Sequence, residues 1–109
     1  MAITEYKIVS GSKEYLPVQV VVQKSGATYN PTADVVKIAC PVQNVAPVAS
    51  DWKTGTWDTT IDNDYIARIM IGPGGDLTPP VGVYDILVNV LDNPEQPILR
   101  AGTLRIVPA

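Results

Sequence analysis

The feature that most constrains this chain is a period of two in its apolar residues. Leu16, Val18, Val20 and Val22 fall on alternate positions, and so do Tyr84, Ile86, Val88 and Val90. A strand turns successive side chains to opposite faces, so each set lines one face of an extended segment. The residues that carry the pattern are β-branched: Val and Ile together number 25, against 6 Leu and 3 Glu. That balance favours strands over helices. The 8 Gly and 10 Pro cut the chain into short pieces. A helical bundle, a coiled coil and a disordered tail are thereby excluded. With 109 residues, 46% of them hydrophobic, one domain with a real core is expected over residues 1–109.

The pattern predicts strands over Ile3–Val9, Leu16–Lys24, Asp34–Cys40, Trp52–Thr60, Tyr65–Ile71, Val81–Leu91 and Ile98–Val107. Ser10-Gly11-Ser12, Ser25-Gly26 and Asp92-Asn93-Pro94-Glu95 read as turns, with the chain doubling back between Lys24 and Tyr29. Pro41 should end its strand, because proline cannot donate to a ladder. Gly55 and Gly102 are placed as bulges or bends within their strands. Val42–Ser50 is apolar but flanked or broken by Pro41 and Pro47, and reads as a loop or irregular edge. About seven strands at spacings of about 8 to 15 residues predict an all-β fold, an immunoglobulin-like antiparallel β-sandwich.

Several chemistries are excluded by residue counts. The chain has no histidine, so Ser-His-Asp and Cys-His catalysis and His-ligated zinc are impossible within it. Its single cysteine, Cys40, can form no intrachain disulfide and reads as a small buried strand residue. The net charge is −3 and the arginines (Arg68, Arg100, Arg105) are scattered, so no nucleic-acid partner is expected. No apolar run approaches the roughly 20 residues that span a bilayer, and no membrane partner is expected. Met1–Lys7 lacks the basic and apolar regions of a signal peptide, which leads to the expectation of synthesis in a cytoplasm.

Four features are candidate sites. Asp58, Asp62, Asn63 and Asp64 form the densest oxygen cluster, of the kind calcium accepts. An EF-hand loop from Asp58 needs Gly and Glu where the chain has Asn63 and Ile69, so a polar turn is the reading and no metal or other cofactor is expected. Asp62 and Asp64 could do acid/base work only in a cleft that raises one pKa, and the chain is read as no enzyme. Gly72-Pro73-Gly74-Gly75-Asp76 lacks the Lys-Ser/Thr of a phosphate loop and reads as a flexible hairpin connection. Trp52 and Trp57 could stack on sugars, anchor a protein contact or fill the core.

Val9–Val22, Asp64–Gly75, Pro80–Val90 with its Gly82-Val83-Tyr84 start, and Ala101–Val107 resemble small Ig-like domains of bacteriophage virion proteins. Among these are the N-terminal domains of baseplate and tail components. The resemblance implies a structural protein of a tailed phage, located in the virion and made in the host cytoplasm. It implies contacts with other virion proteins and with copies of itself in a homo-oligomer, and it carries over no catalytic residue. Larger members carry a fibre or receptor-binding module, and none is expected after Val107. The expectation is therefore a tail or baseplate component, with capsid decoration or head-tail connection as the alternative. A carbohydrate-binding module using Trp52 and Trp57 is the alternative of another class. Exposed apolar residues (Val21, Val42, Val45 and Val48) and sheet edges are the expected contact surfaces, with Val42, Val45, Val48, Trp52 and Trp57 as the interface candidates.

Overall fold

A computed structural model describes residues 4–24, 27–58, 65–91 and 96–109. The chain is all-β. Its strands are β1 (Thr4–Val9), β2 (Glu14–Gln19), β3 (Val22–Lys24), β4 (Ala27–Tyr29), β5 (Val35–Ala39), β6 (Lys53–Thr54), β7 (Thr56–Trp57), β8 (Ile66–Ile71), β9 (Gly82–Leu91) and β10 (Ile98–Val107). Among the described residues a single 3-10 turn covers Ala49–Asp51. One sheet has five strands in the order β1-β10-β9-β5-β6, and a second has three in the order β2-β8-β7. The remaining pair, β3 and β4, forms a small ribbon. The two sheets make a β-sandwich of eight strands, one more than the seven expected.

The inner faces carry the residues that the period of two selects. On the smaller sheet Leu16 lies beside Ile69 and Val18 beside Ala67, and Ile71 and Val20, just past β2, are buried with them. Val36, Ile38, Ile86, Val88, Val90, Leu104 and Ile106 fill the larger one. Each of these Val, Leu and Ile side chains contributes about 1.5–3 kcal/mol through its removal from water.

Three expectations need correction. The sandwich is not wholly antiparallel: β1 runs parallel to β10, from Thr4 beside Gly102 to Val9 beside Val107. The run Leu16–Lys24 is not one strand, because β2 ends at Gln19 and the chain re-enters a separate ribbon at Val22. Trp52–Thr60 is not one strand either. β6 pairs with β5 and β7 with β8, so the chain changes sheets at Gly55. The physical reason lies in the pairing: Gly55 N–H still donates to the Val36 carbonyl of β5 (2.9 Å), while Thr56 already lies beside Arg68 of β8, and a Cβ on Gly55 would be crowded at 3.3 Å by the Arg68 carbonyl and Ile38 Cδ1.

Other expectations match the structure. A register shift between Arg100 and Gly102 marks the predicted bulge in β10. The β3–β4 ribbon doubles back as expected, although Ser25-Gly26 lie outside the described residues. The Asp92–Glu95 turn lies outside them too.

Candidate interaction surface

Beyond β5 the chain leaves the sheet at Cys40-Pro41 and forms a loop that returns at the 3-10 turn. Backbone bonds fix its shape. Val42 makes an isolated bridge with Tyr84, Gln43 N–H donates to the Val83 carbonyl (3.2 Å), and Asp85 N–H donates to the Pro41 carbonyl (2.9 Å). Val45 N–H donates to the Val42 carbonyl (2.9 Å), closing a turn through Asn44 at φ 66°. Asparagine tolerates that left-handed conformation better than most residues.

Two carboxylates complete the loop. Asp85 accepts from Asn44 N–H at 3.0 Å and from the Arg100 guanidinium at 2.9 Å. Asp51 accepts from Val48 N–H at 2.8 Å and so closes the 3-10 turn on itself. The three valines are therefore displayed by a pinned backbone. Val42, Val45 and Val48 are 56%, 55% and 60% exposed.

Facing them is the segment that joins β8 to β9. Leu77, Thr78, Pro79 and Pro80 form the opposite wall, and Cys40 and Tyr84 lie between the two walls. The resulting groove holds about 430 Å³. Tyr84 is buried in its place by a bond from its hydroxyl to the Pro80 carbonyl (2.6 Å), and burial raises its pKa. The groove is apolar on both sides, with the Asp51 carboxylate as its charged member. Such a lining suits aliphatic or aromatic side chains of another protein, because a sugar needs several convergent hydrogen-bonding groups.

The β8–β9 connection is not the flexible hairpin the sequence suggested. It crosses from one sheet to the other and is held at Met70, whose carbonyl accepts from Asp76 N–H (2.8 Å) and whose N–H donates to the Asp76 carboxylate (2.8 Å).

The structure brings Val42, Val45 and Val48 together and leaves the tryptophans apart from them. Trp57 lies on β7, packs against the core and donates its indole N–H to the Asp34 carbonyl at 2.9 Å. Trp52 is half-buried beside the 3-10 turn and does not line the groove. Val21 is exposed in the link between β2 and β3 and does not line the groove. Pro79, Pro80, Leu77 and Tyr84 were missed as groove residues. The Pro79-Pro80 pair was the available signal, since it holds a stiff, extended wall.

Asp58 lies 3.8 Å from Arg68, whose guanidinium also sits 4.1 Å over the Tyr15 ring. Asp62, Asn63 and Asp64, the rest of the calcium candidate, lie outside the described residues. Cys40 is not a strand residue but sits one position past β5, half-buried at the groove. Burial pushes its thiol up from 9.0 to about 12. A thiol raised in the folded state favours its neutral form, so its contribution to stability is complete below pH 9.0 and is lost as pH rises toward about 12. Iodoacetamide at about pH 8 is expected to leave native Cys40 unmodified and to alkylate it rapidly in urea, because the thiolate is the nucleophile. Mass spectrometry of the two samples reads the difference.

No protein-family model matches the chain, and no curated protein matches its sequence.

Proposed function

We propose that this chain is a structural, non-enzymatic Ig-like protein of a tailed bacteriophage particle. It assembles through protein–protein contacts as a tail or baseplate component. The observation that carries the reading is the pinned groove, three valines more than half exposed against a proline wall. An apolar surface held this rigidly costs little further ordering when a partner covers it.

The Ig-like part rests on two features. β9 is flanked by β10 and β5 and faces a β2-β8-β7 sheet, which is the order of strands C-F-G against B-E-D in immunoglobulin sandwiches. Tyr84, near the start of β9, bonds back to the Pro80 carbonyl in the manner of a tyrosine corner. Capsid decoration and head-tail connection use the same contact chemistry and differ in position. A glycan site on Trp52 and Trp57 has less to support it, since the Trp57 indole is packed on the core and its N–H is engaged.

Gold-labelled antibody on purified virions tests the assignment. Label at the tail tip supports the tail reading, and label on the head moves the protein to decoration or connection. Absence of the protein from virions by mass spectrometry overturns both. The contact surface is tested by Val45→Asp with Val48→Asp. Both positions are exposed, so the unfolding free energy should change by no more than about 0.5 kcal/mol per site, as for other surface changes. Incorporation into particles should fall by at least about tenfold, the effect of roughly 1.4 kcal/mol lost at an interface. Normal incorporation of the double variant would remove the groove from the contact.

A further inference from the structure

Among the described residues the two sheets end in four edges, and three of these are blunted. β6 and β7 are two residues long. β2 carries Pro17, which has no N–H to offer a neighbour. β1 is six residues, TEYKIV, with neither proline nor glycine, and pairs only with β10.

The register shows which of its backbone groups are turned outward. Ser10 N–H donates to the Val107 carbonyl at 2.8 Å, continuing the ladder that sets Val9 beside Val107. In a parallel ladder alternate residues direct both backbone groups to the partner. The even-numbered residues of β1 therefore bond to β10, and Glu5 and Lys7 turn their N–H and C=O to the open side. The side chains follow the same alternation: Ile8 is buried and Tyr6 packs on the core, whereas Glu5 and Lys7 are exposed.

We infer that the open edge of β1 pairs antiparallel with β1 of a second copy, about a two-fold axis through Tyr6. Glu5 then lies opposite Lys7 of the second copy, and Lys7 opposite its Glu5. Each of these residues has its backbone groups directed outward, so each pair exchanges both N–H···O bonds. Each pair also sets opposite charges side by side on the exposed face, a favourable cross-strand arrangement. The charges fix the register. A slip by two residues in either direction places Glu5 opposite Glu5 or Lys7 opposite Lys7. Arg105, 3.4 Å from Glu5, stays on the same face and adds a cation beside that carboxylate.

The pairing joins two five-stranded sheets into one. Its short strand contact covers less than the roughly 1,200 Å² of a standard interface, so the dimer is weak and depends on concentration. It rests neither on the valine groove nor on the virion reading.

Sedimentation equilibrium of the full chain over a concentration series tests the inference. The wild type should dimerise. Lys7→Glu should weaken dimerisation by about tenfold or more, because each attractive pair becomes a repulsive one. Lys7→Glu with Glu5→Lys should restore it, since the swap re-creates both opposite-charge pairs and sets the new Glu at position 7 beside Arg105 in the intrachain register. Circular dichroism checks that each variant is folded. Hydrogen exchange gives a second reading, in which the Glu5 and Lys7 amides slow as concentration rises. A wild type that stays monomeric at its solubility limit overturns the inference. So does a Lys7→Glu variant that dimerises as tightly as the wild type, or a swap that restores nothing. A dimer insensitive to Lys7→Glu but lost in Val45→Asp with Val48→Asp places the contact at the groove and overturns the edge pairing.

Discussion

Gly72→Ala is expected to lower the unfolding free energy by about 3 to 5 kcal/mol, the combined scale of backbone strain and overpacking. Gly72 is buried at the end of β8 with φ 122°, a conformation that L side chains rarely adopt. A Cβ there would overlap the Ser12 carbonyl oxygen and lie 2.8 Å from Lys13 Cα. These obstacles are backbone atoms in the β1–β2 connection, so no rotamer change relieves them. The turn that follows is anchored by Gly75 N–H on the Gly72 carbonyl (2.9 Å) and by Gly72 N–H on the Leu77 carbonyl (2.8 Å). Moving Gly72 therefore also moves the proline wall of the groove. Gly11→Ala is the control: its φ is also positive at 91°, but a Cβ there meets nothing within 4 Å. It should cost only about 1 kcal/mol, the conformational part alone. Urea denaturation of the two variants separates crowding from conformation, and equal losses would show that the Ser12 contact is unimportant.

Ile86→Ala is the second large effect. Ile86 is fully buried in β9, the strand flanked by both β10 and β5. Its partner in the register is Gly102, which has no side chain to fill a void. The expected loss is about 3 to 5 kcal/mol, the upper part of the range for truncating a buried isoleucine. For a domain of this size the melting temperature should fall by about 15 °C or more. The outward neighbour Leu87, half-buried on the other face, gives the contrast. Leu87→Ala should cost clearly less, because less of its surface leaves water on folding. Similar losses from the two would mean that the outer face of the larger sheet is as tightly covered as the core.

The strands were legible because a period of two leaves a direct trace in sequence. Tyr84, Ile86, Val88 and Val90 lie inward as that period requires, and Gly102 marks the bulge it was expected to mark. The partner of each strand was not legible. Nothing in Thr4–Val9 says that it runs parallel to the last strand, because alternation fixes a face and not a neighbour. The sheet change at Gly55 was hidden for a related reason. Trp52–Thr60 reads as one segment, and the close approach of Arg68 and Ile38 to Gly55 where the chain crosses arises only in the fold.

The candidate surface divides in the same way. Val42, Val45 and Val48 stood out as apolar residues in a loop. Their opposite wall, Leu77–Pro80, comes from about thirty residues further along and joins them only through the fold. The tryptophans drew attention by size. The Asp34 carbonyl that holds Trp57 is 23 positions away and carries no sequence signal.

The parallel pairing of β1 with β10 has a mechanical consequence. The chain enters β1 at Thr4, beside Gly102, and leaves β10 at Val107, beside Val9. Tension applied through these two ends pulls the strands along their own length in opposite directions. The rungs of that ladder are then loaded together in shear, and none can be peeled away ahead of the others. A sandwich clamped in this way resists stretching between its ends far better than one whose terminal strands unzip from a single corner.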